Sequence, residues 1–163
     1  MKKYAEFNNG PVEYKAPNPY KLDLPSIFLA GSIEMGAAED WQTKVKQIIG
    51  QRELILLNPR RDNWDSSWEQ RASNPNFKEQ VLWELEALEA CDVIMMYFDP
   101  NTKSPISLLE LGIFSSWDKL VVCCPDGFWR KGNVEIVCDR YNIPMVGTLE
   151  ELVSASIEML GGI

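Results

Sequence analysis

From Ser26 onward, short apolar runs of strand-forming residues alternate with stretches whose apolar positions recur at helical spacing. That alternation restricts the chain to a parallel sheet covered by crossover helices, because parallel neighbours cannot be joined by a tight turn. The runs are IFLAG, ELILL, VIMMYF, KLVVCC and PMVG. The helical patterns cover Trp41 to Ile49, Phe77 to Ala90, Ile106 to Ser116, Asn133 to about Tyr141, and Glu150 to Leu160. Five strands with right-handed crossovers predict an α/β fold, a flavodoxin-like or Rossmann-like three-layer sandwich with a five-stranded parallel sheet of order 2-1-3-4-5. Ligands of such sheets bind beyond the carboxyl ends of the strands. The segments to search are therefore those after Ala30, Leu57, Phe98 and Cys124.

Residues 1–25 differ in character. Pro11, Pro17, Pro19 and Pro25, with Asn8, Asn9 and Gly10 among them, resist a regular helix and predict an extended Pro-rich arm. The remainder, residues 26–163, is expected to form a single domain, since a chain of this length can bury one core. With 24 acidic and 16 basic residues the formal charge is -8, which repels a nucleic acid polymer or an anionic membrane and favours a small-molecule partner. The lysines at the start precede no apolar signal segment, and no run approaches the roughly 20 apolar residues of a membrane span, so a cytoplasmic location is expected. No histidine occurs, which excludes a Ser-His-Asp triad, a His-bearing zinc site and an imidazole base. Cys91, Cys123, Cys124 and Cys138 lack CxxC spacing and read as buried free thiols.

Four loops offer chemistry. Gly31 and Ser32, followed by Ile33, Glu34 and Gly36, form a turn whose backbone can approach a ligand, or a plain strand-to-helix turn; Glu34 beside exposed amides would oppose a phosphate dianion. The polar stretch from Asn58 to Asn76 is the candidate lid. In it Arg60 can meet an anionic or carbonyl group and Trp64 or Trp68 can stack on a nucleobase; alternatively Arg60 and Arg61 pair with Asp62 and Asp65 while the tryptophans seal an interface. Glu84 lies at the edge of the apolar face defined by Val81, Leu85 and Leu88, where a side chain looks into a pocket rather than into bulk water. Asp92 reads as a structural anchor at the start of a strand. In SPISLLELG, Ser104 and Pro105 read as an N-cap and first-turn pair. Glu110 stands among Leu108, Leu109, Leu111 and Ile113, where a buried carboxylate costs several kcal/mol unless it has a partner or a role.

These segments together resemble the nucleoside 2-deoxyribosyltransferase family, in its deoxyribosyltransferase-like branch, over most of Ile27 to Asn133. IFLAGSI is similar to the family's first nucleotide-binding turn, and SPISLLELG to the segment bearing its nucleophilic glutamate. Glu84, eight residues ahead of Asp92, falls where the family has an acidic residue that handles the base; Asn133 falls where it has an asparagine lent to a neighbouring subunit's site. The resemblance implies cleavage of the N-glycosidic bond of a 2'-deoxynucleoside through a deoxyribosyl ester on Glu110, with Glu84 as general acid and base and the sugar passed to a free nucleobase or water. It further implies no metal or organic cofactor and a homodimer or higher homo-oligomer; with Arg60 and Trp64 added from the loop reading above, the expected substrate site includes Gly31, Ser32, Arg60, Trp64, Tyr97, Ser104 and Asn133. One position departs from the family: Phe28 stands where a tyrosine usually orients the nucleophile, which leaves Tyr97 as the candidate orienting group. Two other readings remain open, a non-catalytic nucleoside- or nucleotide-binding protein and a nucleotide or NAD glycohydrolase.

Overall fold

The computed structural model describes residues 10–34 and 38–163; Asn8, Asn9 and Gly36 lie outside the described residues. The elements run β1 (Val12–Lys15), β2 (Ser26–Gly31), α1 (Trp41–Ile49), β3 (Ile55–Asn58), α2 (Pro75–Ala90), β4 (Val93–Tyr97), α3 (Pro105–Phe114), β5 (Leu120–Cys123), α4 (Lys131–Arg140), β6 (Met145–Val146) and α5 (Leu149–Met159). One parallel sheet has the order β1-β3-β2-β4-β5-β6. The five expected strands, β2 to β6, hold the order 2-1-3-4-5. The sheet has a sixth, because Val12–Lys15 leaves the arm to pair in parallel with Ile55–Asn58 at the edge. The arm is thus part of the sheet rather than an appendage.

Each strand alternates its side chains between two apolar layers. Phe28, Ala30, Ile94, Met96 and Phe98 face α2, α3 and α4, where they meet Trp83, Leu88, Leu111, Phe114 and Val134. Ile27, Leu29, Met95 and Tyr97 face α1 and α5, meeting Trp41, Val45, Leu152 and Ile157. Both faces being covered explains why the central strands read as unbroken apolar runs. No helix among the described residues is long and apolar enough to cross a membrane.

Side chains set most helix starts. Asp40 accepts from the Thr43 amide to open α1. Asn74 accepts from the Asn76 and Phe77 amides with Pro75 in the first turn, so α2 begins ahead of Phe77. Thr148 and Glu151 form a reciprocal capping box on α5. Asp92 accepts from the Ser26 amide at 2.8 Å and from its hydroxyl at 2.9 Å, and so anchors β2 beside β4 as expected. Ser104 departs from expectation: its φ is 47° and its side chain makes no cap hydrogen bond.

Candidate active site

Helix α3 turns Ser107, Glu110, Leu111 and Phe114 inward and leaves Ile106, Leu109 and Ile113 outside. Positions 107, 110, 111 and 114 are one helical face, so the register that buries Leu111 and Phe114 also buries Glu110, which is 8% exposed. Its carboxyl is pushed up to about 8, chiefly by burial and secondly by the charge of Glu84, and nothing around it acts in the opposite direction. Glu84, half-buried on α2, is pushed up to about 7 by burial, against the pull of a hydrogen bond from Gln80. Two carboxyls from neighbouring helices therefore share one poorly solvated environment and, near neutral pH, about one proton.

Gln80 is a member of this group that the sequence pattern does not flag. Its Nε2 donates to Glu84 Oε1 at 2.7 Å and to the Pro59 carbonyl at 2.8 Å, while its Oε1 is buried with no partner among the described residues. Beside Glu84, Trp83 packs against Phe28 and Tyr20 and donates its indole N–H to the Asn18 carbonyl, so the arm closes over α2 next to the carboxyl pair. Phe28 lies in the same layer as α3 and brings no hydroxyl. Tyr97 does not replace it: its ring packs on Trp41 at 5.4 Å in the opposite layer, and burial pushes its phenol up. Tyr97 instead lines a cavity of about 500 Å³ between α1 and α5, with Glu39, Lys44, Thr148 and Glu150, on the face of the sheet away from Glu110.

The first turn and the fourth loop do meet. Ser32 and Ser104 hydrogen-bond each other through their hydroxyls, and Thr102 donates to Ser32 Oγ at 2.9 Å. The Asp99 amide also donates to Ser32 Oγ, and the Ser32 amide donates to the Tyr97 carbonyl. Both serines are buried, which makes this web a clasp between β2 and the α3 entry rather than an open row of donors. Gly31 serves the same junction. Its φ is 131°, and a Cβ there would overlap the Tyr97 backbone, so its close approach is to β4. Glu34 accepts from the backbone amides of Lys103 and Ser104 at the head of α3, filling with its own carboxylate the place that the helix offers to an anion.

Arg60 points away from the carboxyl pair: its guanidinium donates to Gln42 Oε1 and the Glu39 carbonyl and lies 3.8 Å from Asp40. Arg61 pairs with Glu79 and covers the Trp68 ring. The alternative pairing of these arginines with Asp62 and Asp65 is not what forms, since Asp62 holds Lys15 and Asp65 accepts from Ser67. Trp64 and Trp68 meet edge to face at 5.1 Å, and the Trp64 indole N–H is buried without a partner among the described residues. Asn133 is exposed in the first turn of α4, one turn from Ile136, which is 71% exposed. The four cysteines are free and buried, and burial pushes the Cys91 thiol up to about 11, which makes it unreactive near neutral pH. No group of His, Cys, Asp and Glu among the described residues is arranged to hold a metal ion.

A family model described as nucleoside 2-deoxyribosyltransferase like matches residues 24–128, a span that includes Glu34, Gln80, Glu84 and Glu110 and stops short of Asn133. No curated protein matches the chain.

Proposed function

The chain belongs to the nucleoside 2-deoxyribosyltransferase-like family, and from that premise we propose that it cleaves the N-glycosidic bond of a 2'-deoxynucleoside through a covalent ester on Glu110. The observation that carries this reading is a pair of poorly solvated carboxyls, Glu110 buried and Glu84 half-buried, on adjacent helices with raised proton affinities. A Glu110 oxygen forms a bond to C1' as the C1'–N bond breaks; the bond's electron pair goes to the base nitrogen, which takes a proton from Glu84. A second base, or water, then attacks C1' from the face the first base left, releases Glu110 and returns a proton to Glu84, so configuration is retained. The 2-deoxy sugar suits this route, because no 2'-hydroxyl withdraws electrons from the cation-like transition state.

This chemistry needs the charge on Glu110 and the proton on Glu84. The two carboxyls titrate as a pair, and the substrate selects the productive arrangement: a base nitrogen favours a proton on Glu84, and developing positive charge at C1' favours ionised Glu110. A nucleoside suits the site better than a nucleotide, since Glu34 already occupies the amides at the head of α3. The engaged arginines weaken the NAD glycohydrolase alternative, as Arg60 and Arg61 are committed within the protein. Asn133, beside the exposed Ile136, is suited to reach a second copy's site, and the bare apolar stripe of Ile106, Leu109 and Ile113 supports a homodimer.

Incubation with a deoxynucleoside and a different free base tests the reading. A new nucleoside identifies transfer and free deoxyribose identifies hydrolysis; the absence of both would overturn it. Phe28, which brings no hydroxyl to Glu110, favours a second reading, a binding protein that retains the pocket without turnover. Tight nucleoside binding, unchanged in Glu110→Gln and with no product over prolonged incubation, would identify that case.

A further inference from the structure

We propose that Gln80 is the positioning residue that decides which oxygen of the Glu84 carboxyl carries the proton. The proposal rests on the reading of Glu84 as the group that exchanges a proton with the base. Gln80 lies one turn ahead of Glu84 on α2, and its Nε2 reaches two acceptors at once, Glu84 Oε1 and the carbonyl of Pro59, which directly follows β3. The Pro59 carbonyl has no proton to offer, so it fixes the amide with its nitrogen facing both oxygens; the flipped amide would set carbonyl against carbonyl. Glu84 Oε1 is thereby committed as an acceptor, and a proton on this carboxyl resides on Oε2.

The remaining amide atom strengthens the assignment. Gln80 is 5% exposed and its Oε1 has no partner among the described residues, a costly arrangement for a side chain that only fills space. An aliphatic residue would fill the same volume without the orphan oxygen. What it would not do is hold Glu84. The side chain acting on the Glu84 carboxyl is Gln80 from its own helix; Glu110, on α3, feels the Glu84 charge, and Pro59, from the loop after β3, brings no charge. Gln80 therefore supplies the hydrogen bond that keeps the Glu84 proton mobile while burial favours its retention. On departure of the base, Oε2–H gives its proton to the base nitrogen that receives the C1'–N electron pair. On return, the incoming base N–H gives its proton to Oε2, which restores the starting state.

Carboxyl and side-chain amide NMR of the whole protein, labelled at glutamate and glutamine, tests the assignment without relying on turnover. In the parent, the Gln80 side-chain amide signals should move with the same midpoint as the Glu84 carboxyl, which the loss of a signal in Glu84→Gln identifies. In Gln80→Met, Glu84 should become a roughly tenfold weaker acid. The matching limb of the activity profile should move upward with it, and kcat should fall by more than KM rises. Gln80 amide signals that stay flat through the Glu84 titration, or a folded Gln80→Met with an unchanged midpoint, would overturn the proposal. Should the methionine variant fail to fold, the amide titration of the parent decides alone. Coupled titration in a protein that neither transfers nor hydrolyses would keep the lock on Oε2 and remove the proposed reaction, so the two failures are told apart.

Discussion

Glu110 is held where its charge is unwelcome, and folding stability should record that. Its carboxyl rises from 4.5 to about 8 in the folded chain and that of Glu84 to about 7. Below about pH 4.5 both groups are protonated whether folded or not, and neither penalises folding. As pH rises above about 4.5 the unfolded chain releases protons that the native state still holds, so stability falls until the folded values are passed, and the penalty is complete above about pH 8. Glu110→Gln should therefore be more stable than the parent near pH 9, by on the order of a few kcal/mol, with the difference closing toward pH 4 in thermal melts. Glu110→Ala should lose turnover by roughly a thousandfold or more while retaining its circular dichroism spectrum. A narrow bell in kcat/KM, with limbs near about 7 and about 8 belonging to the pair, should accompany the parent's activity. Glu110 is legible in the sequence because a carboxylate among four aliphatic neighbours conflicts with every simple helical face. Gln80 is not, because a glutamine on an amphipathic helix is unremarkable and its partner Pro59 stands 21 residues away, brought near only by tertiary packing.

At the scale of elements, the junction between β2, β4 and α3 carries the most constraint. Gly31→Ala would push a methyl group into the Tyr97 backbone at a φ that disfavours alanine, and should cost about 3 kcal/mol or more in denaturant unfolding. Asp92→Ala removes the anchor on Ser26 and should cost about 1–3 kcal/mol in the same assay. The central strands are readable from sequence, since burial on both faces writes a continuous apolar run. Val12–Lys15 is not, because an edge strand of four half-buried residues between prolines carries too little pattern to separate it from a loop. The Ser104 cap fails for a related reason. Propensity predicts a hydroxyl turned back to its own helix, but Ser32 and Thr102 offer it buried partners from other segments, and those win.

For the molecule as a whole, the outward stripe of Ile106, Leu109 and Ile113 sits on the back of the helix that holds Glu110, with Leu109 59% exposed. If this stripe joins two copies, as proposed, Leu109→Glu should convert the dimer to monomers in sedimentation velocity and lower turnover with it. If Asn133 completes a partner's site, mixing inactive Glu110→Ala with impaired Asn133→Ala should restore part of the activity, because some mixed dimers contain one intact site. Strand β3 has a consequence of another kind, for the order in which the sheet assembles. Both strands made before it, β1 and β2, pair with β3 and not with each other. During synthesis neither has its native edge to join until Asn58 has left the ribosome; the first sheet that can form is then a three-stranded one, with the newest strand sliding between two older ones.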